Sequence, residues 1–244
     1  MKRAVLSGLL ASILGISSPP TPKTYQTNFP TNENPISENG NWINGGTTGL
    51  DWSDVQVNNG LAFGTITGST PNYGDSTAVL AGTWASNQQA CATVHTVNQT
   101  TTIHEEVELR TRTTIKPHSI TGYEYDYRVT VGGSQYVAIV RWNGPLGSFT
   151  YVTNINPGGP GLHNGDQICA TAVGSVLSLY INGALISQGN DSTFTTGSPG
   201  IGMDVESSSG SLVDQNFGFT SFSATELNGN APPAPTNLRV TDVQ

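Results

Sequence analysis

Glu106 and Glu108 stand two residues apart in the segment His104-Glu-Glu-Val-Glu-Leu-Arg-Thr-Arg112, where ionisable and apolar side chains alternate. In an extended chain alternate side chains share a face. His104, Glu106, Glu108, Arg110 and Arg112 are therefore expected on one face, and Glu105, Val107 and Leu109 on the other. Two adjacent carboxyl groups suit hydrolysis of a glycosidic bond, which needs one acid held protonated and a second held ionised. The arginines suit a different chemistry, β-elimination on an acidic polysaccharide. Arg110 and Arg112 would neutralise a uronate carboxylate there, while Tyr125 or His118 moves the proton.

The next strand-like segment, 123–131, repeats the pattern. Glu124, Asp126 and Arg128 share one face, opposite Tyr123, Tyr125, Tyr127 and Val129. Two successive strands with an ionisable face are expected to line an open groove rather than a core. A ladder of Glu–Arg pairs on a solvated sheet accounts for the same charges without catalysis, each pair worth about 0.2–1 kcal/mol. A third reading is sugar binding without cleavage, in which rings stack on sugar C–H faces and planar polar groups collect hydroxyls. Arg141-Trp142-Asn143-Gly144-Pro145 puts a tryptophan at a strand end beside an amide and a turn. Trp142, Asn143 and Arg141, with Glu124, Asp126 and Arg128, form the expected binding set. Trp42, Trp52, Trp84, Tyr136 and Tyr151 are further aromatic candidates.

The elements that must carry these residues are short strands. Further strands are expected at 55–66, 77–80, 90–97, 103–113, 136–142, 149–154, 167–172, 176–181 and 217–224, separated by turn residues. Gln89-Ala-Cys91-Ala-Thr-Val94 and Gln167-Ile-Cys169-Ala-Thr-Ala172 both read as strands with the cysteine on the less apolar face. If the two strands are neighbours, an oxidising compartment joins Cys91 to Cys169; two free thiols are the alternative. Cys91 and His95 offer two ligands on one strand face, but no second local pair completes a metal site. Asp51, Asp54, Asp75 and Asp204 lie among loop-like residues without ligand spacing. No metal site and no cofactor are therefore expected, with a structural calcium ion left open.

Leu177, Leu179 and Ile181 alternate with Ser178 and Tyr180, and Asn182-Gly183 then closes a tight hairpin before Ala184-Leu-Ile-Ser187. Thr-Phe-Thr-Thr-Gly-Ser-Pro-Gly-Ile-Gly-Met, 193–203, follows as a turn and a short apolar segment. This order resembles the C-terminal half of the concanavalin A-like lectin/glucanase jelly roll and its laminin-G-like relatives. The resemblance implies an all-β fold, a two-sheet antiparallel β-sandwich, and work on sugars by binding or by cleavage. Glucanases of that superfamily carry Glu-x-Asp-x-Glu on a strand, and Glu106-Val-Glu108-Leu-Arg110 is similar up to the arginine. Glu108-Leu-Arg110 is also similar to the Arg-x-Glu-Leu-Arg strand of jelly-roll alginate lyases, with Glu106 in place of the first arginine.

Composition agrees with such a sandwich. The 244 residues include 29 Gly and 14 Pro, and only 11% are charged. Outside the extreme N-terminus no long window has helical apolar periodicity. A net charge of −8 opposes a nucleic-acid partner, which needs clustered positive charge. Lys2 and Arg3 precede the apolar run 4–16, so residues 1–20 read as a signal peptide and the mature chain as secreted, extracellular or periplasmic. No membrane partner is expected after its removal. Residues 24–226 form the expected sandwich domain. Residues 227–244, with Ala231-Pro-Pro-Ala-Pro, form a Pro-rich tail resembling the start of a fibronectin type III domain. The expected partner is a polysaccharide, and a structural or adhesive module of an extracellular assembly is the remaining class. Asn98-Gln-Thr100 and Asn190-Asp-Ser192 fit the glycosylation sequon.

Overall fold

The computed structural model describes residues 21–66, 75–97, 104–129, 135–206 and 214–228. The signal-peptide segment, the sequon at Asn98 and most of the Pro-rich tail lie outside these residues. The described chain forms fifteen strands in two antiparallel sheets. The first sheet runs β13 (Ala184–Asn190), β12 (Val176–Ile181), β11 (Gln167–Val173), β6 (Gln88–Thr96), β15 (Phe217–Glu226), β4 (Leu61–Gly64) and β3 (Val55–Asn58). There β1 (Thr24–Thr27) also pairs with β15. The second sheet runs β10 (Phe149–Ile155), β9 (Val137–Gly144), β8 (Ser119–Arg128), β7 (His104–Lys116), β14 (Ser198–Glu206), β5 (Ser76–Leu80) and β2 (Trp42–Asn44). This is the two-sheet all-β sandwich that the strand spacing suggests, with the jelly-roll form that the resemblance implies.

Turn chemistry sets several corners. Asn182 and Gly183 take φ of 49° and 82° and join β12 to β13 as expected. Asn59 and Gly60 do the same at 51° and 77°, so the segment 55–66 is a hairpin, β3 and β4, rather than one strand. The Gly-rich segment after Trp42 makes β2 and a single helical turn, Gly45–Thr48.

The main core lies between the sheets, and three tyrosines brace it. Tyr123, Tyr125 and Tyr127 point inward from β8 and are fully buried. Their hydroxyls donate to Asp191 Oδ1 (2.7 Å), Thr171 O (3.0 Å) and Cys169 O (2.9 Å), spanning from one sheet to the other. A buried phenol needs such a partner. Trp42 and Trp84 also belong to this core.

A second apolar cluster sits on the outer face of the β7–β8–β9 sheet. It comprises Leu50, Trp52, Ile120, Ala138, Val140 and Trp142, with Ile115, Leu146 and Phe149 against it. The expected alternation in β9 is observed: Val137 and Ile139 join the main core, and Ala138, Val140 and Trp142 the outer cluster. The expectation of a solvated outer face is corrected here. The segment carrying Leu50 and Trp52 folds over it and takes the middle of the face out of water.

Cys91 and Cys169 are register partners on the adjacent strands β6 and β11, and they are joined in a disulfide that links positions 78 residues apart. Closing a loop of that length restricts the unfolded chain by up to about 4 kcal/mol in the chain-entropy model. Cys91→Ser with Cys169→Ser is therefore expected to lower stability by about 2–4 kcal/mol, read by urea unfolding, and added reductant should have little further effect on the double variant.

Candidate functional site

Strand register builds the charged region row by row on the outer face. Across β7 and β8, Glu106 faces Arg128, Glu108 faces Asp126, and Arg110 faces Glu124. On the other side of β7, Glu108 faces Gly202 and Glu106 faces Asp204 of β14. Asp75 enters from the residue before β5, whose Ser76 pairs with Met203. Six carboxyl groups thus surround one arginine.

Arg110 has no exposed surface. Its guanidinium contacts Glu108 and Glu124, and Asp75 Oδ2 lies 3.7 Å away. The Trp52 ring covers it at 4.9 Å, a cation–π contact in a desolvated setting. Glycine at position 202 makes the arrangement fit. A Cβ there would collide with the Glu108 carboxylate and stand 2.7 Å from Arg110 Nη2.

Arg110, with Arg128 facing Glu106 at the edge, still leaves more acid than base in a low-dielectric setting, so protons must make up part of the difference. Burial pushes the Asp75, Glu108 and Asp126 carboxyls well above the usual range. The charges of Asp204, Asp75 and Glu124 respectively add to the effect. Burial opposes the charge on Arg110, but Glu124 and Glu108 outweigh it and hold the guanidinium above its ordinary value. His104 is lowered to about 4 by burial and by nearby Arg128, so it is neutral at pH 7. The Tyr136 phenol is pushed up by burial and by the charges of Glu106 and Asp126. Two buried oxygens, Glu108 Oε1 and Asp126 Oδ1, have no hydrogen-bond partner.

Beside this cluster opens a pocket of about 100 Å³. Its acidic wall is Asp75, Glu106, Glu124, Asp126 and Asp204, with His104 and Tyr136 at one end. The opposite wall is aromatic: Trp142, Phe149 and Tyr151. These rings continue a series that starts at Trp52. Trp52 to Trp142 is 4.7 Å between centroids, Trp142 to Phe149 is 5.3 Å, and Phe149 to Tyr151 is 5.4 Å. The series runs from buried Trp52 to Tyr151, which is 52% exposed.

The expected site residues divide into three groups. Glu106, Glu124, Asp126 and Trp142 line the pocket, while Glu108 and Arg110 lie buried next to it. Arg141 and Asn143 sit elsewhere, bonded to each other and to Thr150, with Arg141 also paired to Asp191. Arg128 pairs in register with Glu106 but does not line the pocket.

Three residues proposed for elimination stand apart. Tyr125 faces the core and donates to Thr171 O. His118 is exposed in a turn against Asp51. Arg112 does not share the face of Arg110, which corrects the alternation assumed for that strand. The register shifts between Thr111 and Thr114, and Arg112 takes φ of 50°. The bulge turns its guanidinium to the carbonyls of Ser86 and Phe194.

Asp75 and Asp204 are not loop residues open to solvent but buried members of the cluster. A readable signal for Asp204 exists in the period-two run Gly200, Gly202, Asp204 against Ile201, Met203, Val205, all now on β14. His104, Phe149 and Tyr151, with Tyr136 just before β9, meet only through the lateral order β7–β8–β9–β10, which no local pattern encodes. A larger cleft of about 490 Å³ lies on the other sheet, lined by Gln26, Asn28, Thr93, Gln167, Ser221 and Ser223 among others, with no ionisable side chain.

Removing the central cation tests the charge account. Arg110→Met is expected to cost about 3–5 kcal/mol at pH 7, because uncompensated buried carboxylates remain. The loss should shrink as pH falls towards 5. Carboxyls raised by burial take up protons earlier than ordinary ones as pH falls, so less negative charge needs the guanidinium. Urea unfolding at the two pH values reads the difference; an equal loss at both would remove the account. Gly202→Ala should destabilise the fold by at least about 1–3 kcal/mol through overpacking against Glu108.

No family model matches this chain, and no curated protein of similar sequence does. Among solved structures, the chain is similar to the CBM2 module of the evolved Dit of Lactobacillus casei BL23 phage J-1. That match has 12% identity and a TM-score of 0.52 and covers 86% of this chain and 99% of that one. It is similar to a β-agarase A solved with oligoagarose, at 10% identity over 84% of this chain and 93% of that one, with a TM-score of 0.52. It is also similar to porphyranase B from Zobellia galactanivorans, at 11% identity over 82% and 90%, with a TM-score of 0.50. At such identities the likeness is one of fold: this chain shares their two-sheet jelly-roll β-sandwich.

Proposed function

We propose that this protein recognises a polysaccharide on the outer face of the β7–β8–β9 sheet, outside the cell or in a periplasm. The observation that carries this reading is the join between an aromatic series ending at exposed Tyr151 and a pocket walled by Glu106, Asp126 and Asp204. Rings of this kind stack on sugar C–H faces, and carboxylates accept hydrogen bonds from pairs of hydroxyls. The likeness in fold to a CBM2 module and a β-agarase supports the same direction. The Cys91–Cys169 bridge supports an oxidising compartment.

A second reading is hydrolysis, favoured by one observation: the pocket wall combines several acids, and burial and neighbouring Glu124 push the Asp126 carboxyl well above the usual range. A protonated acid beside an ionised one is the pair that glycosidic cleavage uses. Elimination through Arg112, Tyr125 and His118 has no such support, since none of them lines the pocket. An assembly surface is disfavoured too. Among the described residues the exposed large apolar side chains are Ile43, Val97, Tyr151 and Leu185, from four separate segments rather than one patch.

The test is a panel of neutral glucans, xylan, agarose, alginate, pectate and glucuronan. It is read by retardation in polysaccharide gels, by reducing ends and by the ultraviolet absorbance of unsaturated products. Retardation by at least one glycan is expected, weakened about 2- to 10-fold by Tyr151→Ala, as loss of one stacking ring predicts. Reducing ends that vanish in Glu106→Gln would add hydrolysis. Absence of retardation and of products across the panel would overturn the proposal.

A further inference from the structure

The larger cleft lies on the outer face of the first sheet, where register lays short polar side chains side by side. Ser221 of β15, Thr93 of β6 and Gln167 of β11 are successive partners in one row. Gln26 of β1, Ser223 and Cys91 are successive partners in the next. Strands stand about 4.8 Å apart, so the four of them span about 14 Å. The cleft volume, about 490 Å³, falls among those of ligand sites, roughly 300–1,000 Å³. Ser221 Oγ donates to Thr93 Oγ1 at 2.8 Å, and the Cys91–Cys169 bridge ties β6 to β11 beside that row. The floor is therefore fixed before a ligand arrives. The side chains of Gln26, Asn28, Gln167 and Ser223 line the cleft and make no hydrogen bond among the described residues. Their donors and acceptors are left to solvent or to a ligand.

This lining disfavours three classes of ligand. A charged chain would enter without a counter-charge, since no ionisable side chain lines the cleft. A peptide added as a strand needs an unpaired sheet edge, and β6, β11 and β15 each have paired neighbours on both sides. An apolar ligand would find no open hydrophobic side chain, because Cys91, Ala92 and Phe222, which border the cleft, are buried. We propose that this cleft binds an uncharged sugar chain, at a site separate from the acidic pocket on the opposite sheet. Amides and hydroxyls both donate and accept, as sugar hydroxyls do, so each can exchange hydrogen bonds with them in either sense. Gln26 and Asn28 on the β1 side and Gln167 on the β11 side hold the chain across the strands, over the short side chains of Thr93, Ser221 and Ser223. The inference stands on these groups and not on the Tyr151 pocket; a chain that binds sugar at one of the two sites alone would keep one reading and lose the other.

The isotopically labelled protein is titrated by NMR with millimolar cellohexaose, xylohexaose, mannohexaose and agarohexaose, and with oligogalacturonate as the charged comparison. The side-chain amide signals of Gln26, Asn28 and Gln167 and the backbone amide of Thr93 are expected to move with at least one neutral oligosaccharide and to stay in place with oligogalacturonate. Gln167→Ala, which removes one amide, and Ser223→Arg, which fills the floor, should each weaken that titration by at least about threefold. Neither should alter any titration seen at Tyr151. Melting curves of both variants report separately whether they fold. Cleft signals that stay in place with every neutral oligosaccharide overturn the proposal. So does equal movement with oligogalacturonate, and so does a cleft titration unchanged in both variants, which would trace the movement to binding elsewhere.

Discussion

The outer half of this molecule depends on the desolvation of Arg110. A guanidinium with no exposed surface is tolerable only among carboxylates, and β7, β8 and the start of β5 deliver three to it. Those carboxylates are too many to stay ionised together, which brings protons into the cluster and lifts Asp75 and Glu108 above their usual range. Three features follow from the same demand for dryness. Trp52 closes over the guanidinium. Gly202 gives up its side chain so that Glu108 and Arg110 can meet. The outer apolar cluster seals the remaining flank. A wet Arg110 would require none of them.

The two faces of β8 then divide the work. Inward, Tyr123, Tyr125 and Tyr127 cross the sandwich and end on the opposite sheet and on Asp191, so the strand cannot shift without breaking three hydrogen bonds. Outward, Glu124 and Asp126 are held at the positions that this anchoring sets. A one-residue slip would exchange the faces, burying two acids in an apolar core and exposing three phenols. Rigid placement of the pocket wall is thus a by-product of core packing, and the wall is prearranged for any ligand it meets.

Much of this was legible in the sequence, and the limits have physical causes. The period-two alternation correctly assigned faces on β7 up to Arg110, and on β8 and β9, because a pleated strand allows no other arrangement. Cys91 and Cys169 could be paired once their strands were assumed neighbours. Periodicity, however, says which side chains share a face and not whether something covers it. The cover comes from Leu50 and Trp52, in a Gly-rich segment with no periodic signal, so a solvated groove was expected where a dry cluster exists. The bulge at Arg112 was equally hidden, since positive φ at an arginine is imposed by the surrounding sheet and not by its own preference. Asp204 failed for a simpler reason: the apolar segment was ended at Met203, one residue before the acid that continues its alternation.

The pocket sits where the dry cluster meets water, and that boundary explains its chemistry. Glu108 is sealed inside and can serve only as a partner to Arg110. Glu106, Asp126 and Asp204, each at 5–7% exposure, are the acids of the same array that a ligand can still reach. Their outward oxygens can be met by protons or by hydroxyl donors of a sugar, and these compete for the same positions. Neutral His104 leaves the charge of these acids in place, since an uncharged imidazole supplies no counter-charge. Beside it, the Trp142–Phe149–Tyr151 rings offer contact area without charge. A ligand that uses both walls must therefore be apolar on one side and rich in donors, or positively charged, on the other, which is the profile of a sugar ring stacked by its C–H face.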